Sequence, residues 1–336
     1  WSKWFPADLI SESFPGQFRN WFYSLLAMST VMTRRAPFKH CFTYGTLLAE
    51  DGRAMHKSWG NAIEFNAAAD KMGVDVMRWL YCDHKPEKDL IFGYHRADEA
   101  RRRFLIPLWN VYSFFVTYAN IDGWTPDQTG ATQDALPLLD RWIMARLHQL
   151  VQTVTDKLES YEPNVATAAV DAFLDDLSNW YVRRSRRRFW AKAGASEASD
   201  ADKHAAYATL YQVLVTLGKL LAPFTPFVTE AMHQTLVRSA VADAPESVHH
   251  CDWPTADADL IAGTQALRDQ MALTRQVVTL GHAARAQANV KVRQPLDKAL
   301  VFAPNRTDDL LAMQDLILDE LNVKRLEIAR EAGELV

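Results

Sequence analysis

The sequence predicts a mainly α-helical protein. It should open with a parallel α/β segment, continue as an antiparallel helical bundle and end in a small α/β tail. Three observations predict this. Over the first hundred residues, short extended runs alternate with helical ones, the rhythm of a parallel sheet. From Ala97 to about Val237 the apolar residues recur at helical spacing in four long stripes, and antiparallel neighbours follow. After about Asp257, one more helix gives way to two extended runs and a last helix. With 49% hydrophobic and 23% charged residues over 336 positions, the chain can fill two to four structural units, which excludes wholesale disorder.

The elements follow in order. Residues 7–10 read as a short strand, and residues 17–32 as a helix with Trp21, Leu25, Met28 and Met32 on one face. Residues 42–48 are strand-like again, closed by the turn Glu50-Asp51-Gly52. Two short helices, 66–72 and 74–82, flank Gly73, and the polar stretch 83–89 is a loop. Phe104, Leu108, Val111 and Phe115 mark the first long helix, where Pro107 should cause a kink or a restart. Leu139, Ile143, Leu147 and Val154 mark a second. Asn164 should cap a third, running to about Trp190. Residues 194–202 read as a loop, and a fourth helix carries Leu210, Leu214, Leu217 and Leu221 before Pro223 and Pro226 interrupt it. Beyond a loop at 239–254 comes the helix 257–284. Val290 and Val292 then alternate with Lys291 and Arg293 as a strand, and residues 300–302 form another. Thr307 should cap a final helix whose first turn holds Asp308 and Asp309.

Thirty-seven basic against 41 acidic residues give a net charge of -4, so any nucleic-acid affinity must come from a local patch. No run of eighteen apolar residues occurs, and no membrane-spanning helix or membrane partner is expected. Cys41, Cys82 and Cys251 are widely spaced without a C-x-x-C pair, which fits a reducing cytoplasm and no metal site within the chain. The first residue is Trp, and the chain opens inside a fold element, so it is expected to be part of something longer.

Three constellations could carry chemistry. Gly52-Arg53-Ala54-Met55-His56-Lys57-Ser58-Trp59-Gly60-Asn61 is a glycine-bounded loop after a strand. Lys57 offers it a compact cation and Ser58 a hydroxyl, both suited to a polyphosphate, although G-x-x-x-x-G-K-[ST] is absent. A solvated turn is the bland alternative. The second is the run from Trp180 to Trp190, in which arginines alternate with aromatics. Guanidinium forks suit phosphates and aromatic faces suit unstacked bases. On a regular helix Arg184 and Arg187 extend the Phe173–Leu177–Trp180 stripe, whereas Arg183 and Arg186 lie to one side; a salt-bridged helix end is the alternative. The third, Arg96 with Arg101-Arg102-Arg103, reads first as surface charge offset by Asp98 and Glu99.

Met55-x-Lys57-Ser58-x-Gly60-Asn61 resembles the second signature of the class I aminoacyl-tRNA synthetases, usually Lys-Met-Ser-Lys-Ser. Around it, Trp4-x-Pro6-Ala7-Asp8, Gln17-x-Arg19-x-Trp21 and Gly73-x-Asp75-x-x-Arg78 are similar to segments of the isoleucyl branch of that family. So are Asp140-Arg141-Trp142-Ile143, Ser178-Asn179-Trp180-Tyr181, Leu221-Ala222-Pro223-Phe224 and Val292-Arg293-Gln294-Pro295 further on. The resemblance covers essentially the whole chain. It implies a partial Rossmann-like catalytic segment at 1–48 and a signature loop with stem-contact region at 49–96. An anticodon-binding helical bundle at 97–254 and a junction of one helix with a small α/β part at 255–336 would follow. It further implies ATP, with Mg as its counter-ion, isoleucine and tRNA(Ile) as partners. Lys57, Ser58, Met55 and His56 stand at catalytic positions, with Gln17, Gly60 and Asn61 beside the nucleotide. Arg183, Arg184, Arg186, Arg187 and Trp180 stand on the RNA side. The pattern also departs from the family: Ala54 replaces the first lysine, His56 the serine, and Tyr44-Gly45 stands where His-Gly is common. No His-x-Gly-His occurs, so the remaining catalytic half and an editing part are expected outside this chain. Two classes stay open: part of a tRNA ligase, or a stand-alone tRNA-binding module or inactive relative lacking that half-site.

Overall fold

The computed structural model describes residues 3–126, 136–192 and 194–331. The chain divides into two compact units, Trp1–Ile143 with Gln149–Ala256, and Met144–His148 with Asp257–Val336. The described residues are mostly helical, with three parallel sheets of two strands each.

In the first unit β1 (Ala7–Ser13) and β2 (Phe38–Tyr44) pair in parallel from Ala7↔Phe38 to Ser13↔Tyr44. Between them lie α1 (Phe14–Gln17) and α2 (Trp21–Thr33). The single helix expected at 17–32 is broken at Asn20, whose backbone is neither helical nor extended (φ -123°, ψ -102°). The second expected strand is also divided. Gly45 passes so close to the 86–89 backbone that a Cβ there would lie 2.5 Å from the Lys88 carbonyl oxygen. Beyond it β3 (Leu47–Leu48) pairs in parallel with β4 (Leu90–Ile91), a strand just past the polar loop and too short to show a period.

Two helices follow, α3 (Phe65–Met72) and α4 (Val74–Asp83), with Gly73 between them at φ 83°. Next, α5 (Tyr94–Ala100), a π-helical turn at Arg101–Leu105 and α6 (Ile106–Asp122) make one continuous 29-residue helix. Pro107 does not restart it, because it sits just past the π turn, where the hydrogen-bond ladder changes register and a missing N–H is accommodated. By length and composition this helix could cross a membrane, contrary to the expectation from apolar runs. Its Phe104, Leu108, Val111, Phe115 and Ala119 are instead buried in the protein, and the helix packs on its neighbours in the unit.

The unit's remaining helices are α7 (Leu138–Glu159, of which Met144–His148 belong to the second unit), α8 (Pro163–Asp175), α9 (Arg183–Trp190), α10 (Glu197–Leu221) and α11 (Pro226–His233). A second π turn, Asp176–Val182, joins α8 to α9, and a third, Gln234–Arg238, extends α11. Asn164 is not the cap of α8: the helix starts at Pro163, whose fixed φ suits a first helical position. Part of the expected 194–202 loop is already helix, since Ser196 accepts the Ser199 N–H (3.1 Å) and starts α10. Phe173, Leu177, Tyr181, Tyr207, Leu210 and Leu214 form the centre of the core.

The second unit holds α12 (Ala258–Gly263), α13 (Gln265–Gln287), β5 (Leu296–Val301), α14 (Thr307–Ala312), α15 (Gln314–Leu321) and β6 (Val323–Ile328). β5 and β6 run parallel, Leu296 opposite Val323 and Val301 opposite Ile328. The Val290–Val292 alternation is a turn, not a strand. The buried Arg285 guanidinium holds it by donating to the carbonyls of Lys291 (3.1 Å), Gln294 (3.0 Å), Leu321 (2.6 Å) and Asn322 (3.2 Å). Thr307 is the first residue of α14, not its cap, although Asp308 and Asp309 do occupy the first turn.

Candidate catalytic loop and RNA-binding run

The 52–61 loop is tied shut at its base. Leu48 and Ala54 form an antiparallel bridge, and the Ala49 N–H donates to the Arg53 carbonyl at 2.9 Å. Asn61 staples the loop from inside: its Oδ1 accepts the His56 N–H (2.9 Å) and its Nδ2 donates to the Ala54 carbonyl (2.9 Å). Lys57, Ser58 and Trp59 make one 3-10 turn that ends on Gly60 at φ 71°, a left-handed conformation that costs glycine nothing. The His56 ring meets the Trp59 ring edge-on, 4.3 Å between centroids. Lys57 and Ser58 are exposed, and among the described residues neither side chain makes an ion pair or hydrogen bond. Glu64 feels the Lys57 charge. Its carboxyl is held below the usual range chiefly by the Ala67 N–H, with Lys57 a smaller contribution. Met55 is half-buried. The loop is therefore a hydrogen-bonded rim presenting a cation and a hydroxyl, groups suited to phosphate oxygens.

Among the described residues no hydrogen bond brings Gln17 into this cluster. Its Oε1 accepts the Trp21 N–H at 3.2 Å and so caps α2 locally. Gly60 and Asn61 act on the loop's own shape.

In the arginine run the π turn changes which residues face inward. A π turn holds an extra residue, so a face extrapolated at about 100° per residue is rotated beyond Val182. Ser185 and Phe189 are the buried positions of α9, not Arg184 and Arg187. Arg186 and Arg187 are exposed, and among the described residues neither has an ion pair. Arg183 is exposed and donates to the Asn179 carbonyl at 2.7 Å, while Arg184 is half-buried. Trp180 is only 8% exposed, which leaves no ring face for a base; the exposed aromatic of the run is Trp190.

Sequence reasoning missed the role of Arg188. Its guanidinium makes a fork on the fully buried Asp140 (2.7 and 2.6 Å), which also accepts the Tyr181 hydroxyl at 2.7 Å. Burial opposes the Arg188 charge, but the Asp140 carboxylate outweighs it and drives the pKa up; burial and Asp140 together push Tyr181 well up. Spacing could not reveal a pair 48 positions apart. The 96–103 cluster is also mostly structural. Arg101 pairs with Asp98 (2.5 Å) and Arg96 with Glu99 (3.1 Å), while Arg103 bridges Asp83 and Asp171 at 2.5 Å each. Burial pushes Asp171 up to about 6 in spite of Arg103. Among the described residues no group of three or more His, Cys, Asp or Glu is placed to hold a metal ion.

Residues 1–92 match the family described as tRNA synthetases class I (I, L, M and V), and residues 140–300 match the anticodon-binding domain of tRNA ligase. The isoleucine–tRNA ligase of Dehalococcoides mccartyi (strain 195) is 45% identical over 99% of this chain and 32% of its own length. That of Thermobifida fusca is 45% identical and that of Thermus thermophilus 42%, each over 99% of this chain and 31% of its own. The chain thus spans about a third of the length of the curated relatives it matches. Among solved structures, LeuRS of Agrobacterium radiobacter K84, in a ternary complex with tRNA and LeuAMS, shares the fold. Its TM-score is 0.58 at 18% identity, over 76% of this chain and 29% of that one. A class I tRNA synthetase segment followed by an anticodon-binding domain, homologous along the whole chain to the isoleucine–tRNA ligases, is what this sequence encodes.

Proposed function

We propose that this chain is part of an isoleucine–tRNA ligase, an enzyme that activates isoleucine with ATP and transfers it to tRNA(Ile) in the cytoplasm. In this reading the 52–61 loop steadies the ATP phosphates while the adenylate forms. Lys57 is the charge-bearing catalytic residue, the Ser58 hydroxyl binds a phosphate oxygen, and Met55 and His56 shape the rim. Mg arrives with the ATP. Gln17 faces the adenylate side from the α1–α2 junction. The observation that carries the reading is the stapled loop itself, with Lys57 exposed and unspent at its tip.

The finer architecture belongs to the same proposal. Residues 1–48 are one half of a Rossmann-type catalytic fold, 49–96 the signature loop and stem-contact region, 97–254 the anticodon-binding antiparallel bundle, and 255–336 a junction. α2 supports the first assignment, because Tyr23, Met28, Val31 and Met32 are all more than 60% exposed. An apolar helix beside a two-stranded parallel sheet calls for further chain to cover it. Arg186, Arg187 and Trp190, with Arg183 beside them, supply the RNA contacts.

The test uses the complete ligase. Lys57→Ala should slow isoleucine-dependent ATP–pyrophosphate exchange by roughly 30- to 1,000-fold, equivalent to about 2–4 kcal/mol of transition-state charge stabilisation, and leave tRNA affinity unchanged. Replacing Arg186 and Arg187 together by Gln should weaken tRNA binding and lower the salt slope by roughly two phosphate contacts. An unaltered exchange rate in the first variant would remove the loop from catalysis.

A further inference from the structure

Helix α10 ends at Leu221 and α11 begins at Pro226, a break at which neither Pro223 nor Pro226 has an N–H to give. Such a break leaves carbonyls pointing forward from one helix and N–H groups pointing back from the next. Thr225, at the cap position of α11, is buried and makes no side-chain cap. The missing partners come from α4, about 150 positions earlier. Asp75 accepts the N–H groups of Phe227 (3.2 Å) and Val228 (2.7 Å) on its two carboxylate oxygens. One turn on, Arg78 donates to the carbonyls of Pro223 (2.6 Å) and Phe224 (3.0 Å). Each charge has the sign that its helix end favours. Trp79, wholly buried, lies flat on Phe104 of the long 94–122 helix (3.6 Å, 4°) and tilts against Phe224.

Two more such caps fasten the other side of this region. Glu50, at the root of the signature loop, accepts the His95 N–H that begins the long helix (2.7 Å). Arg101 donates to the carbonyls of Lys71 (2.9 Å) and Met72 (2.7 Å) at the end of α3. All four are charged side chains on backbone termini of another element. Bonds of that kind fix angle as well as distance, unlike an ion pair between two flexible side chains.

We propose that Asp75 and Arg78 are positioning residues that hold the α10–α11 break against the helix following the signature loop, so that tRNA seated on the bundle is presented to that loop in one orientation. The proposal rests on the ligase reading above. It assigns these two residues to the transfer of isoleucine to tRNA, and neither to its activation nor to tRNA affinity.

The experiment is steady-state kinetics of the complete ligase carrying Asp75→Asn, which keeps acceptor oxygens without the charge, or Arg78→Lys, which keeps the charge without the fork. The kcat for tRNA charging should fall about tenfold or more. The KM for tRNA and the rate of ATP–pyrophosphate exchange should stay within about twofold, and amide exchange at Phe227 and Val228 should quicken. If charging, exchange and tRNA affinity all decline together with the folded fraction measured by circular dichroism, the residues are structural and the proposal is overturned. It is overturned equally if charging is unchanged in both variants. A parent ligase that charges no isoleucine tRNA would bring down the functional reading itself, an outcome separable because it needs no variant.

Discussion

Replacing Arg188 by Met keeps most of the side chain's apolar stem but removes the fork that holds Asp140. The Asp140 carboxylate is completely buried and accepts three hydrogen bonds, two of them from Arg188 at 2.7 and 2.6 Å. In the variant only the Tyr181 hydroxyl remains. A buried carboxylate deprived of its cation costs about 3–5 kcal/mol. Counting the two lost charge-assisted hydrogen bonds at roughly 1.5–3 kcal/mol each gives a similar figure. For a unit of this size the midpoint of thermal unfolding should drop by roughly 6–20 °C. The assay is unfolding of the 336-residue chain by heat and by urea, followed by circular dichroism, with Arg186→Gln as the exposed control, expected within about 0.5 kcal/mol of the parent. Removing the carboxylate as well, in Asp140→Leu with Arg188→Met, should recover at least about 2 kcal/mol relative to additivity. An Arg188→Met variant no less stable than the Arg186→Gln control would show that the fork contributes nothing, and the distinction between buried and exposed arginines in this run would fall with it.

Other tests reach other parts of the chain. The Asp171 pKa is raised to about 6 by burial, so its contribution to stability is present below the ordinary carboxylate range and fades as pH rises through about 6. Asn mimics the protonated acid; Asp171→Asn should match the parent near pH 4 and exceed it by up to about 3 kcal/mol at pH 7, and a pH-independent difference would refute the assignment. Asn61→Ala breaks both staples of the 52–61 loop at a half-buried position, costing about 1 kcal/mol or less in stability; on the proposed ligase reading it should also slow pyrophosphate exchange by the complete enzyme roughly tenfold, and an unaffected rate would mean the loop needs no staple. Gly281→Ala places a Cβ 2.5 Å from Leu321 Cδ2 and should destabilise the second unit by about 1–3 kcal/mol, with Leu321→Ala relieving part of the clash. Additive losses in the double variant would exclude that contact as the cause.

The helical stripes were legible because each keeps its period for several turns. Leu210, Leu214 and Leu217 are fully buried where their spacing puts them. Boundaries set by local chemistry were less so. Asn164 has the right side chain for a cap, yet Pro163 starts the helix. Gly45 looks like an ordinary strand glycine until the Lys88 carbonyl is seen against it. The 52–61 loop was readable as a glycine-bounded turn from its residue types, but not the Asn61 staple, which depends on the loop's closure. Nor does any local pattern reveal that Asp140 claims Arg188, or that Asp75 and Arg78 serve a helix break 150 positions away. Those partners meet only because the fold brings them together.

The π turn at Asp176–Val182 has a consequence for comparing this chain with others. It behaves as a one-residue insertion absorbed without interrupting the rod, so everything after it is phased like a gear advanced by one tooth. Deleting a single residue within it should relax the turn to ordinary α-helix and swing the downstream side chains by about 100°. The position now held by Phe189 would turn outward and an arginine would be driven toward the core. Two homologues could then carry the same run of arginines letter for letter and offer different ones to solvent. The count of residues upstream, not the run itself, decides which guanidiniums a polyanion can reach.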